Sequence, residues 1–295
     1  MPFSFFKKKP DTFDYEESRT CRCCNNMFKG RYCNICGEKV IEPSERSFLA
    51  FLDNLLNAFT FLDGKFITSL KLLVTRPGQL SRNIADGLRV PYMKMISLFF
   101  VANFFYFLFP IFDSFNSTLF SQTNLMGEHS VRAKAIVEKE VSTRQISIEE
   151  FEEKYRAQST NLSKLLLIVL VLVMAVTHLV INFSKKNYFF DHLLISMEFY
   201  SFHLLINMLL LPAIGLLLVR MASWVGWNWN SLLTDRVFSV PVYGLVLYFL
   251  IRAQRIFYNH KWYWAIPKAI ILFYAFREVI SLYRIMLFYI TVWTI

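Results

Sequence analysis

Residues 184–220 read SKKNYFFDHLLISMEFYSFHLLINMLLLPAIGLLLVR, a long apolar run that nevertheless holds Asp191, His192, Glu198, His203 and Asn207. A run of this length and hydropathy reads as a membrane-crossing helix, and ionisable groups within one are costly enough that they normally face a bundle interior or a watery cavity. This segment therefore packs among other helices and is the first place to look for function. At about 100° per residue, Asp191 and Glu198 share one face, while His192 and His203 share a neighbouring one. Such a set suits a divalent metal or a proton shuttle, which makes these four the candidate catalytic residues. The structural alternative pairs Glu198 with an arginine. Arg277 and Arg284, seven apart in the last apolar stretch, have the spacing for a buried ladder with Asp191 and Glu198.

Composition points the same way. Of 295 residues, 55% are hydrophobic and 31 are Phe, more than a soluble domain of this size carries, so the class is an all-α polytopic membrane protein. About five transmembrane helices are expected, near residues 92–112, 162–183, 199–219, 237–251 and 264–295, within a membrane region covering 92–295. Pro212 and Gly215 interrupt the third. The last contains Arg277, Glu278 and Arg284, and reads either as one tilted helix or as an interfacial segment followed by a span from Val279. Residues 113–161 form a polar external loop. In it, Ser147-Ile-Glu-Glu150 resembles a capping box whose helix runs into the second span, and His129 reads as a solvated surface histidine.

The net charge of +10 is better explained by its distribution than by nucleic acid, because fifteen of the 32 Lys and Arg fall in residues 1–94. Lys185 and Lys186, and then Arg252, Arg255 and Lys261, continue the bias between later spans. By the positive-inside rule these regions are cytoplasmic, so the N-terminus lies inside and the C-terminus outside a bacterial inner membrane. Trp224, Trp227 and Trp229 belong at one interface and Trp262-Tyr-Trp264 at the other. The opening MPFSFFKKKP lacks the apolar region of a cleaved signal peptide, so the first residues are expected to remain.

All five cysteines lie between Cys21 and Cys36. Cys21 and Cys24 match the spacing of Cys33 and Cys36, leaving Cys23 as a spare thiol; a redox pair would need an α/β pattern that is absent. Four thiolates suit a structural Zn²⁺ and leave no open position for catalysis, giving a ribbon over 21–46 after a polar lead over 1–20. Nearby Arg19, Arg22, Lys29, Arg31 and Lys39 are offset by Glu16, Glu17, Glu38 and Glu42, which argues against nucleic acid. Residues 47–91 follow as amphipathic helices. Phe48, Phe51, Leu52, Leu55, Phe59 and Leu62 make one stripe behind a Ser47 cap, then come Phe66–Val74 and a short helix from Gln79 to Asp86 closed by Gly87. Too short to cross, they are expected to lie in the interface plane; packing on the bundle is the alternative.

This order, with Gly30-Arg-Tyr-Cys33-Asn-Ile-Cys36-Gly-Glu38, Thr75-Arg-Pro-Gly-Gln-Leu-Ser-Arg82, Gly87-Leu-Arg89 and Pro91-Tyr92 before the first span, resembles a bacterial family catalogued as domain of unknown function 3667. Asp191-His192 followed by Glu198 and Phe202 is similar to that family's acidic-His pair in a later helix. The resemblance implies an N-terminal zinc ribbon before a multi-pass membrane region, and no activity. Asn25 stands where it leads one to expect glycine after the first CxxC, and Glu198 where it suggests a second histidine. The leading functional reading is a non-enzymatic membrane protein, its partners the lipid bilayer and a cytosolic protein docked on the ribbon. A transporter using the third span's polar residues, and an intramembrane enzyme acting on a lipid or lipid-linked substrate, are the alternatives.

Overall fold

Apolar residues spaced for helices become helices along nearly all of Gly64–Ile295, one of the two units into which the chain divides after Asp63. The computed structural model describes residues 14–21, 23–37, 40, 64–109, 115–184, 187–227 and 235–295. The expected helix Ser47–Leu62, and Lys185, Lys186 and Trp229, lie outside the described residues. In the unit Met1–Asp63, β1 (Ser18–Thr20) pairs antiparallel with β2 (Met27–Lys29), Arg19 opposite Phe28.

The helical unit begins with α1 (Gly64–Thr75), α2 (Gln79–Ala85) and α3 (Met95–Leu108). Helices α4 (Leu119–Asn124) and α5 (Glu128–Arg144) fall in the polar loop, and α6 (Ile148–Ile181) follows. Ser147 Oγ accepts the Glu150 N–H at 3.2 Å, so the capping serine read from the sequence starts a helix that runs unbroken into the apolar stretch. Next come α7 (Phe189–Phe202), a π-helical segment His203–Leu210 and α8 (Leu211–Trp224), stacked as one continuous rod. Helix α9 (Asp235–Ile256) is longer than the expected 237–251, and α10 (Trp262–Thr294) is a single helix through Pro267, which resolves the two readings of the last stretch. Two helical stretches among the described residues, Ile148–Ile181 and Phe189–Trp224, are long and apolar enough to cross a membrane; Met95–Leu108 is a shorter apolar helix.

Helix α7 is the hub. Its flanks meet α3, α6, α2 and α9, and residues 194–202 are buried on every side. Phe199 makes edge contacts with Phe249 and Phe276, joining α9 and α10 to the same core. A second apolar cluster joins Leu119, Val137, Phe151 and Tyr155 to Phe288 and Val292, so the polar loop folds back onto the ends of α6 and α10. His129, expected in solvent, is instead half-buried there, with its ring against Phe288 and Nε2 2.9 Å from Gln122 Oε1; burial, followed by Arg132, lowers its pKa.

Helices α1 and α2 are not laid apart from the bundle. Leu73, Leu80 and Ile84 join the main core cluster, so this pair packs on the helical bundle. The turn between them depends on Gly78, whose φ is +86° and whose missing Cβ would sit 2.9 Å from Ala253 Cα on α9. Left-handed backbone costs an L-residue about 1–2 kcal/mol before any clash. Gly78→Ala is therefore expected to destabilise the detergent-purified protein by at least about that amount, read as a lower melting temperature; unchanged melting would contradict this packing.

Candidate metal centre and buried polar sites

The first CxxC begins where β1 ends, and the hairpin returns through a tight knuckle. Cys21 N–H donates to the Asn26 carbonyl at 2.8 Å, and Asn25 N–H to the Cys21 carbonyl at 3.0 Å. The second loop repeats this device, with Gly37 N–H on the Cys33 carbonyl at 2.9 Å. Asn25 has φ +57° and Gly37 φ +75°. Asparagine is among the few side chains that enter this region readily, so Asn25 in place of glycine keeps the turn.

These two knuckles face their sulfurs inward. The ligand atoms of Cys21, Cys24, Cys33 and Cys36 all lie within 4.8 Å of one another, with Cys21 Sγ 3.4 Å from Cys36 Sγ and Cys24 Sγ 3.6 Å from Cys33 Sγ. A tetrahedral thiolate site with metal–sulfur bonds of ~2.3 Å has sulfurs about 3.8 Å apart, so the group could hold a metal ion. No disulfide joins the five cysteines, and Cys23 is exposed, contributing its backbone N–H to Cys21 Sγ at 3.4 Å. The Cys36 N–H in particular, helped by that of Ile35, brings the Cys33 thiol down to about 6 against opposing burial. Backbone dipoles aimed at sulfur favour the thiolate that a metal requires. Phe28 and Val40 pack beside Cys21 and Cys33, a small apolar support for the centre.

In the apolar rod of α7 and α8 the structure separates the four candidate residues. Asp191 Oδ2 accepts the Tyr188 N–H at 2.8 Å and so starts α7. His192 Nδ1 lies 2.7 Å from Tyr258 Oη. His203 is enclosed by Phe115, Phe199 and Phe276, with Nδ1 3.0 Å from Asn207 Nδ2. Their donor atoms do not converge: among the described residues, the four cysteines are the group placed to share an ion.

Glu198 is fully buried and makes the connection that the sequence did not reveal. Its Oε1 accepts the Gly78 N–H at 2.7 Å and its Oε2 the Ser81 N–H at 2.8 Å. A carboxyl group 117 to 120 residues away thus caps the start of α2. Among the described residues no salt bridge joins Arg277 or Arg284 to Asp191 or Glu198, and Arg277 lies 6.0 Å from the ring centre of Tyr243, so the expected ladder is not seen there. The physical reason is that two amide N–H groups satisfy both oxygens without burying a second long charged side chain. The rest of the segment is tied in similarly: Arg82 Nη1 donates to the Ile256 carbonyl at 2.7 Å, Asn83 Nδ2 to Tyr92 Oη at 2.7 Å, and the Met93 N–H to Ser69 Oγ at 2.9 Å.

A second polar cluster was not anticipated. The rings of His178, His192 and His260 each stack on Tyr258, and Lys268 Nζ lies 3.0 Å from His260 Nε2 and 3.2 Å from Asn182 Oδ1. Burial, with Lys268 adding to it, lowers the His260 pKa. The available signal was positional: His178 and Asn182 end one apolar stretch, and Tyr258 and His260 follow another.

Taken together, the fold and centre define a helical protein with apolar helices of membrane-crossing length and a four-cysteine group in a zinc-ribbon-like arrangement. The family described as "Protein of unknown function (DUF3667)" matches residues 63–107, which include the Arg-Pro-Gly turn and nearly all of α3. The resemblance read from the sequence is thereby shown for this segment. No curated protein and no solved structure matches the chain.

Removing the Glu198 oxygens strands two buried N–H groups, each worth on the order of 1–3 kcal/mol. Glu198→Ala is expected to lower stability by more than Glu198→Gln, which keeps one acceptor, and to hasten tryptic cleavage after Arg82. Because Gly78→Ala disturbs the same turn, the double variant should fall short of the sum of the two losses. Strict additivity would mean that the groups act independently.

Proposed function

We propose that this protein is an integral protein of the bacterial inner membrane whose cytosolic ribbon binds one structural Zn²⁺ through Cys21, Cys24, Cys33 and Cys36 and serves as a docking or regulatory module for a cytosolic protein. The bilayer is its other partner. In this reading five helices cross, α3, the apolar part of α6, the rod of α7 and α8, α9, and α10, with the N-terminus inside and the C-terminus outside. The cytosol keeps thiols reduced, which accords with a thiolate centre on that side.

The convergence of four sulfurs is the observation that supports this most directly. Four protein ligands complete a tetrahedron and leave no position for water or substrate, so the ion organises a surface and does no chemistry. One zinc per chain is expected in the detergent-purified protein, none after truncation before Ser47, none in Cys36→Ser and one in Cys23→Ser. An ion that persists after truncation would overturn the assignment. A reporter active only in the periplasm should stay silent when fused at residue 1, and crosslinks to a cytosolic protein should vanish in Cys33→Ser.

A transport role is the second reading, favoured by the π-helical segment ahead of Pro212, with His203 and Asn207 buried inside it. Such segments widen a helix and recur at functional sites. Solute flux in proteoliposomes that is abolished by Asn207→Leu, with the zinc content unchanged, would replace docking with transport.

A further inference from the structure

A cavity of about 540 Å³ opens between α1, the loop leading into α3, and α7. Its size falls within the range of small-ligand sites. Most of its wall is apolar, with Met95, Leu194 and Met197 on it, yet Lys65, Arg89 and Lys94 also line it, and no described carboxylate does. All three cations are exposed, and none forms a salt bridge among the described residues. Arg89 Nε donates to the Ile84 carbonyl at 3.4 Å, which holds the arginine near the cavity and leaves its terminal nitrogens available.

Two properties of this space select its occupant. Three positive charges facing one cavity with no acid among them call for an anion. The apolar surface does not end at the cavity: Ile96 and Phe190, which also line it, remain 49% and 51% exposed, and they carry it outward along α3 and α7. A soluble anion would leave that surface in water, whereas a molecule with an anionic head and a hydrocarbon tail covers it. Basic pockets between membrane helices take such headgroups.

We infer that this cavity binds an anionic phospholipid of the bilayer, with its phosphate between Lys65, Arg89 and Lys94 and the upper part of an acyl chain against Met95, Leu194 and Met197. The Glu198 connection fixes α2 against α7 and so holds one wall in place, Ile84 being on that wall. The site extends the proposed function by giving the membrane face a ligand of its own. It rests on membrane insertion and not on the ribbon's docking role.

The test uses the full chain in neutral detergent, titrated with phosphatidylglycerol, phosphatidylcholine or inorganic phosphate while melting is followed. Phosphatidylglycerol is expected to raise the melting temperature with an apparent affinity at least about tenfold above that of phosphatidylcholine, and inorganic phosphate to have no effect. The triple variant Lys65→Gln, Arg89→Gln, Lys94→Gln should lose this preference. A control removing equal charge from α5, Arg132→Gln, Lys134→Gln, Lys139→Gln, should keep it. Leu194→Trp, which fills the cavity with its cations intact, should also abolish it. Equal response to the two lipids, a preference that survives the cation triple, or a response to inorganic phosphate would overturn the inference. Release of the chain from membranes by alkaline carbonate would overturn membrane insertion itself, whereas a retained chain indifferent to phosphatidylglycerol sinks only the lipid site.

Discussion

One buried carboxyl group sets the arrangement of the helical unit. Glu198 sits at the middle of the hub helix, and what it accepts is two backbone N–H groups at the start of a seven-residue helix far away in sequence. A helix that short has little stability of its own, and the free N–H groups at its start need an acceptor. Glu198 supplies that acceptor, and the helix in turn removes the need for a cation beside a buried acid. Each feature would be unfavourable alone. The Arg-Pro-Gly-Gln-Leu-Ser-Arg segment is then legible residue by residue: Gly78 for its backbone and its closeness to Ala253, Ser81 for its N–H, Arg82 for the end of α9.

The cysteine centre follows a different logic. Among the described residues, its apolar support is Phe28 and Val40 beside two buried sulfurs. Two knuckles of matching geometry bring the four thiols together, and each needs one residue at positive φ. Coordination would supply the cohesion that a larger domain obtains from packing.

Much of this was legible in the sequence where the determinants are local. Cysteine spacing, the Ser147 cap and the apolar runs within Ile148–Ile181 and Phe189–Trp224 specify their structures within a few residues, and these appear as helices and a thiol cluster. What was not legible is long-range pairing. A helical wheel places Asp191, His192, Glu198 and His203 on adjoining faces but says nothing about which neighbour each face meets. The expectation of an arginine opposite Glu198 rested on charge alone, and backbone amides carry no signature in a sequence. His178, Asn182, Tyr258, His260 and Lys268 were overlooked for the same reason, since they come from three separate stretches that meet only in the fold.

Helix α6 has 34 residues, so it is about 50 Å long, whereas the hydrocarbon layer of a bilayer is ~30 Å thick. Its first turns carry Phe151 and Tyr155 against Phe288 and Val292 on α10, beyond the apolar stretch, and its last turn carries His178 against Tyr258. The same rod therefore has a mechanical grip at either extremity. A tilt of about 5° pivoting at one end would swing the other by ~4 Å, enough to reseat side chains. Such leverage ties the packing of α4 and α5 at one end of the rod to that of Tyr258 at the other.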